Sequence, residues 1–164
     1  MLAPLMTFLA GTCLNAPIGE TALNMHGQAR YKKALFKLYD ASLCSQNSEF
    51  KDDAPFALSL DYLRSFSSEQ ITKAAIHEMA RFSGKEQSEF DDFRPTLLAC
   101  FPDVKKGDQI LSISTSATTA EFHYNGKPHC EMEHPDLREH FFGIWLSEDA
   151  MMPRKARVLK GLEE

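Results

Sequence analysis

The clearest periodicity in the chain lies between Phe56 and Tyr62. There Phe56, Leu58, Leu60 and Tyr62 fall on one side of an extended segment and Ala57, Ser59 and Asp61 on the other. Ala34 to Leu43 alternates in the same way, with Leu35, Lys37, Tyr39, Ala41 and Leu43 opposite Ala34, Phe36, Leu38 and Asp40. Both of its faces carry apolar groups, which predicts a strand inside a sheet. Thr21 to Met25 predicts a short strand leading to Gly27, and Ser45 to Pro55 reads as a polar loop. Further on, residues 109–116, 120–124 and 127–132 read as strands. The last two are joined by Asn125-Gly126, a dipeptide suited to the positive φ angles of a tight hairpin.

Between these strands the period lengthens. Ser67, with Gln70 three residues on, has the form of a capping box. Ile71, Ala74, Ala75 and Met79 follow at helical spacing to Phe82, and Gly84 is a stop. A second helical pattern, Phe90, Phe93, Leu97, Leu98 and Phe101, contains Pro95, which removes a donor and predicts two pieces or a late start. Residues 102–108 form a turn by composition. His134-Pro135-Asp136 then opens a helix on which Leu137, Phe141, Ile144 and Trp145 share one face. Two aromatics on that stripe make it the expected anchor of the core. Phe142 and Gly143 lie off the stripe. A glycine beside a large aromatic points to the close approach of a backbone or a ligand; core packing is the favoured reading of this face, and the wall of an apolar pocket the alternative. A last helix from Pro153 is expected to turn Ala156, Leu159 and Leu162 inward. The order strands, two helices, strands, two helices predicts an α+β domain, an antiparallel sheet packed against a helical layer.

A chain of 164 residues fits one domain with a substantial core. Its net charge of −5 argues against nucleic acid or an anionic lipid surface as main partner, since both require a basic face. Lys32, Lys33 and Lys37 cluster, and read as a solvated face. Residues 1–16 are mostly apolar or small, too few to span a bilayer, which takes ~20 apolar residues. They resemble the apolar part of a secretory signal with small residues near Ala16, although a positive first segment is missing. The expectation is a leader over 1–16, a domain over 17–164 and a periplasmic or secreted location. Cys13, Cys44, Cys100 and Cys130 show no C-x-x-C spacing. Removal of the leader leaves three, room for one intramolecular disulfide at most, and buried thiols acting as small apolar groups are expected.

Conventional catalytic motifs do not appear. Residues 129–134 are rich in metal ligands, but alternation along a strand sends His129, Glu131 and Glu133 to one side and Cys130 and His134 to the other, so no metal is expected. His26, His77, His123 and His140 lack ligand spacing, and there is no nucleophile elbow, Walker loop or dinucleotide glycine fingerprint. Neither a cofactor nor hydrolase, kinase or dehydrogenase chemistry is expected. What remains is Arg30, just before the strand of Phe36 and Tyr39. Turned inward, its guanidinium requires an anion, which a carboxylate or enolate ligand in an apolar cavity would provide. Turned outward, it is a surface residue or the partner of Asp40 or Asp61.

Four segments carry a family resemblance. Gly27-Gln28-Ala29-Arg30 with residues 36–43, Pro55 to Arg64, Phe101-Pro102-Asp103-Val104 with Gly107-Asp108, and Phe141 to Leu146 with Pro153 resemble, in order, the signatures of the bacterial chalcone isomerase-like family. They span about residues 21 to 162. The resemblance implies the chalcone isomerase fold, with a cleft between sheet and helical layer, and an exported location. The plant enzymes of that fold close a chalcone to a flavanone by attack of a phenolate on an enone, with an Arg stabilising developing negative charge. Related non-catalytic members bind fatty acids through an Arg and a Tyr. By resemblance Arg30 is the family's Arg. Tyr39 stands where the plant enzymes place a hydroxyl-bearing Thr, and Ile144 near where they place another polar residue. Their helical-layer Tyr and Asn have no match here.

The favoured expectation is a non-catalytic chalcone isomerase-like domain binding a small apolar or amphipathic, fatty-acid-like ligand through Arg30, Tyr39 and Tyr62. The alternatives are an intramolecular lyase with Arg30 as candidate catalytic residue, and an exported structural or partner-binding domain.

Overall fold

A computed structural model describes residues 12–164. Six strands, β1 (Asn24–Lys33), β2 (Phe36–Ser45), β3 (Phe56–Tyr62), β4 (Gln109–Ser114), β5 (Thr119–Tyr124) and β6 (Lys127–Glu133), form one antiparallel sheet in chain order. Helices α1 (Ser68–Ser83), α2 (Arg94–Cys100), α3 (Gly143–Leu146) and α4 (Pro153–Leu159) complete the α+β domain. The expected fold class holds.

Strand β3 shows why the alternation was so legible. Phe56, Leu58, Leu60 and Tyr62 pack on the main core with Ile76, Met79, Leu97, Phe101, Phe122 and Phe141. Its other face is covered as well. Cys13, Ala16 and Ile18 pack there against Cys44, Ala57, Leu111 and Ile113 in a second, smaller core. The segment is held by a Cys13–Cys44 disulfide and by the Cys13 amide, which donates to Ser42 Oγ at 3.1 Å. Of the expected leader, residues 1–11 lie outside the described residues, whereas Cys13 and Ala16 are buried parts of the domain.

The cysteine expectation is corrected. Cys100 pairs with Cys130, clipping α2 to β6, so all four cysteines are in disulfides. Spacings of 31 and 30 residues carry no local signal, because each bridge joins segments that only the tertiary fold brings together.

The first hairpin also differs from expectation. β1 continues to Lys33, and Ala34-Leu35 is a two-residue turn with Ala34 at φ 54°. Such a turn usually carries Gly, Asn or Asp, so its apolar residues read as strand. The second hairpin turns at Asn125-Gly126 as expected, with φ 50° and 83°. Helix α1 has the capping box of Ser67 and Gln70 and ends at Gly84 in the left-handed region. Helix α2 starts late, with Pro95 in its first turn.

The aromatic helix departs from a simple 3.6-residue stripe. It opens as a π-turn over Leu137–Phe142 before α3. The wider turn buries Phe142 beside Phe141 and leaves Ile144 only partly buried. Phe142 meets Phe56 edge to face at 5.1 Å. A Cβ on Gly143 would come within 2.8 Å of the Phe82 ring, so the glycine admits that ring. Leu162 is exposed rather than inward, since α4 ends at Leu159.

Candidate functional site

The three residues expected at the site divide between the two faces of the sheet. Arg30 is opposite Asp40 in the β1–β2 register, while the next pair is Tyr31 with Tyr39. Successive side chains along a strand point to opposite faces, so Arg30 and Tyr39 cannot share a cavity. The inward-facing Arg30 is therefore corrected. Its Nε and Nη2 donate to Asp40 Oδ1 and Oδ2 at 2.7 and 2.9 Å, with both side chains well exposed at 43% and 35%. A guanidinium paired to both oxygens of one carboxylate has no outstanding need for an anion.

Tyr39 and Tyr62 do come together, on the helical face. Their rings meet edge to face at 5.9 Å, and Tyr31 stacks on Tyr39 at 4.9 Å. The Tyr39 hydroxyl accepts a hydrogen bond from Trp145 Nε1 at 2.9 Å. Burial pushes the Tyr39 phenol up to about 12, and raises those of Tyr62 and Tyr31 further. These phenols stay protonated and neutral at physiological pH. They form an aromatic wall with one interior hydrogen bond, and the closely packed rings leave the Tyr39 oxygen committed to Trp145.

A different cation meets an apolar surface. At the end of the sheet where β3 begins, a cleft of about 420 Å³ lies between the β2–β3 loop, the π-turn and α3. Phe50, Phe56, Phe142 and Leu146 give it an apolar lining, and Arg138 and Lys160 stand in its wall together with the acidic residues Asp52 and Glu139. Arg138 Nε donates to Ser114 Oγ at 2.7 Å and Nη1 to the Asp52 carbonyl at 3.1 Å, while Nη2 reaches the Ser114 carbonyl at 3.5 Å. Its guanidinium carbon lies 5.4 Å from the centre of the Phe56 ring. Every hydrogen-bond partner is neutral. Partial burial lowers the Arg138 pKa, and the more distant charges of Asp52 and Asp53 offset this only in part. Lys160 is paired to Glu148 at 3.1 Å. Arg138 is thus the cation of the cleft without a salt bridge, although carboxylates stand nearby, and it takes the place expected for Arg30.

A second depression of about 380 Å³ beside β5 and β6 is lined by Glu121, Glu131 and Glu133 with Thr115 and Thr119. Three carboxylates and no cation suit it poorly to an anion. In the ligand-rich run, Cys130 is in a disulfide, and His134 is 2.8 Å from Asp92 and stacked on Phe93 at 3.6 Å. Arg138 escaped notice in the sequence because it sits inside a core-anchoring helix. One signal was available: it precedes Phe142 by four residues, the spacing that sets two side chains on one helical face.

Sheet, one helical layer and a lateral apolar cleft define an α+β sandwich. The chain belongs to the chalcone isomerase-like family, whose model matches residues 13–156. Among solved structures it is similar to a fatty-acid binding protein of Arabidopsis thaliana, at 9% identity and a TM-score of 0.69 over 88% of this chain and 89% of that one. No curated protein matches it by sequence.

Proposed function

We propose that this protein is a non-catalytic, exported binder of an amphipathic anion, a fatty acid or a molecule of like shape, of the bacterial branch of its family. The observation that carries the reading is Arg138, a half-buried guanidinium whose hydrogen-bond partners are all neutral, set on the edge of an apolar cleft. Partial desolvation of a guanidinium that has no salt bridge is costly, and a ligand carboxylate would offset it by meeting the planar fork of donors in two parallel hydrogen bonds. Phe50, Phe142 and Leu146 would cover the hydrocarbon, and 420 Å³ is within the usual size of small-molecule sites. The similarity to a plant fatty-acid binding protein supports the ligand class. The family Arg expected at position 30 is engaged by Asp40, so the anion-binding function is assigned to a guanidinium from the aromatic helix.

Two disulfides support export, because such bonds persist in oxidising compartments. A leader removed on the way would end before Cys13, since losing Cys13 would strand Cys44.

Displacement of a fluorescent fatty acid from delipidated protein tests the reading. Loss of a hydrogen bond to a charged group weakens binding by about 10- to 100-fold, the decrease expected for Arg138→Ala. Arg30→Ala should bind as the wild type does. Absence of fatty-acid binding, or equal affinity in Arg138→Ala, would overturn it. Chalcone absorbance followed in parallel addresses the lyase. A rate above buffer that Arg138→Ala abolishes would replace binding with catalysis.

A further inference from the structure

The tip of the first hairpin is built against the ordinary rules of an exposed turn. Leu35 at its apex is 96% exposed and Phe36 beside it 59%. Ala34 takes a positive φ of 54°, which a non-glycine residue adopts only at some cost in strain. Lys32 and Lys37 stand directly opposite each other in the β1–β2 register, a like-charge pairing that destabilises a sheet. Lys33 faces Phe36, and Arg64 lies over the Phe36 ring at 4.6 Å. Lys155 joins the group from α4, its ammonium 5.1 Å above the Tyr31 ring. Burial, and then the nearby charge of Lys32, lower its pKa. Among the described residues no carboxylate pairs with Lys32, Lys33, Lys37, Arg64 or Lys155. A chain with net charge −5 thus concentrates unpaired cations around Leu35, the most exposed large apolar side chain among the described residues.

We propose that this hairpin tip docks on an anionic lipid surface, Leu35 and Phe36 entering among the headgroups while Lys32, Lys33, Lys37 and Arg64 meet the phosphates. The chain's overall negative charge does not oppose this. Attraction to a charged surface decays within a Debye length of ~8–10 Å, so the charge on the tip decides. Two apolar residues at an apex are too small for a protein partner, since stable interfaces bury ~800 Å² on each side. They suit the shallow insertion by which amphipathic elements enter a bilayer. The inference stands apart from the cleft and does not rest on it.

Vesicle flotation tests it, comparing phosphatidylcholine alone with phosphatidylcholine mixed with phosphatidylglycerol. The protein should float only with the anionic vesicles, and less as salt rises. Losing one lysine should lower the partition about fivefold, and the Lys32→Gln, Lys33→Gln, Lys37→Gln triple variant by about a hundredfold. Leu35→Gly, a substitution that a turn accepts, should lower it about tenfold. Circular dichroism checks that each variant stays folded. No flotation, equal flotation on neutral vesicles, or undiminished flotation of folded variants would overturn the proposal. So would self-association that Leu35→Gly abolishes in a protein that ignores vesicles.

Discussion

Replacing Asp61 by Asn should stabilise the protein at alkaline pH and leave it unchanged in acid. Asp61 lies on the sheet face away from the helices, directly across from Asp40. Arg30 takes both oxygens of Asp40, so the neighbouring cation is already committed. Burial pushes the Asp61 carboxyl up to about 7 from an ordinary 3.8, Ser59 and Gln109 oppose the rise by hydrogen bonding, and the Asp40 charge adds to it. Ser59 Oγ donates to Asp61 Oδ2 at 3.3 Å and accepts from Gln109 Nε2 at 3.0 Å. Between 3.8 and about 7 the folded chain holds a proton that the unfolded chain releases. Stability from this group is therefore complete below the lower value and is lost as pH rises through the upper one. The interval sets a ceiling of about 4 kcal/mol, which the side chain's remaining solvent access screens to about 1–2 kcal/mol. Urea unfolding of wild type and Asp61→Asn at about pH 3 and about pH 8, on either side of the interval, isolates this group from all others, because only the difference between the proteins is read. The variant should gain about 1–2 kcal/mol at the higher pH and almost nothing at the lower. An equal difference at both, or a variant less stable in alkali, would refute the assignment.

Two further outcomes follow from the packing. Replacing both Cys100 and Cys130 by Ser should cost about 3–4 kcal/mol, the loop entropy of a closure that spans 30 residues; the urea midpoint of this double variant against wild type, both without reductant so that Cys13–Cys44 stays closed, measures it. Tyr39→Phe removes the acceptor of Trp145 Nε1 and should destabilise by about 1–3 kcal/mol. Unchanged unfolding of that variant would mean that the buried indole finds another partner.

Local chemistry accounts for much of the architecture. Alternation around Phe56, the Ser67–Gln70 cap, Gly84, Pro95 and Asn125-Gly126 each act within a few residues, and each produced the expected element. The first hairpin was misjudged for the same reason. Ala34-Leu35 lacks turn chemistry, so nothing local separates it from the strands on either side. The close approach expected at Gly143 is that of the Phe82 ring, and Phe142 packs in the core, while both also border the cleft.

The sequence by itself determined the α+β layering, since side-chain period, caps and breakers are properties of neighbouring residues. Only the tertiary structure decided which way Arg30 faces, because strand register sets Asp40 beside it and Tyr39 on the opposite face. It also decided the two disulfides and the union of Arg138 with Phe50 and Phe56, which depend on distances between segments far apart in the chain. A guanidinium's function follows from the charges within a few ångströms of it, and those neighbours come from chain pairing rather than chain order.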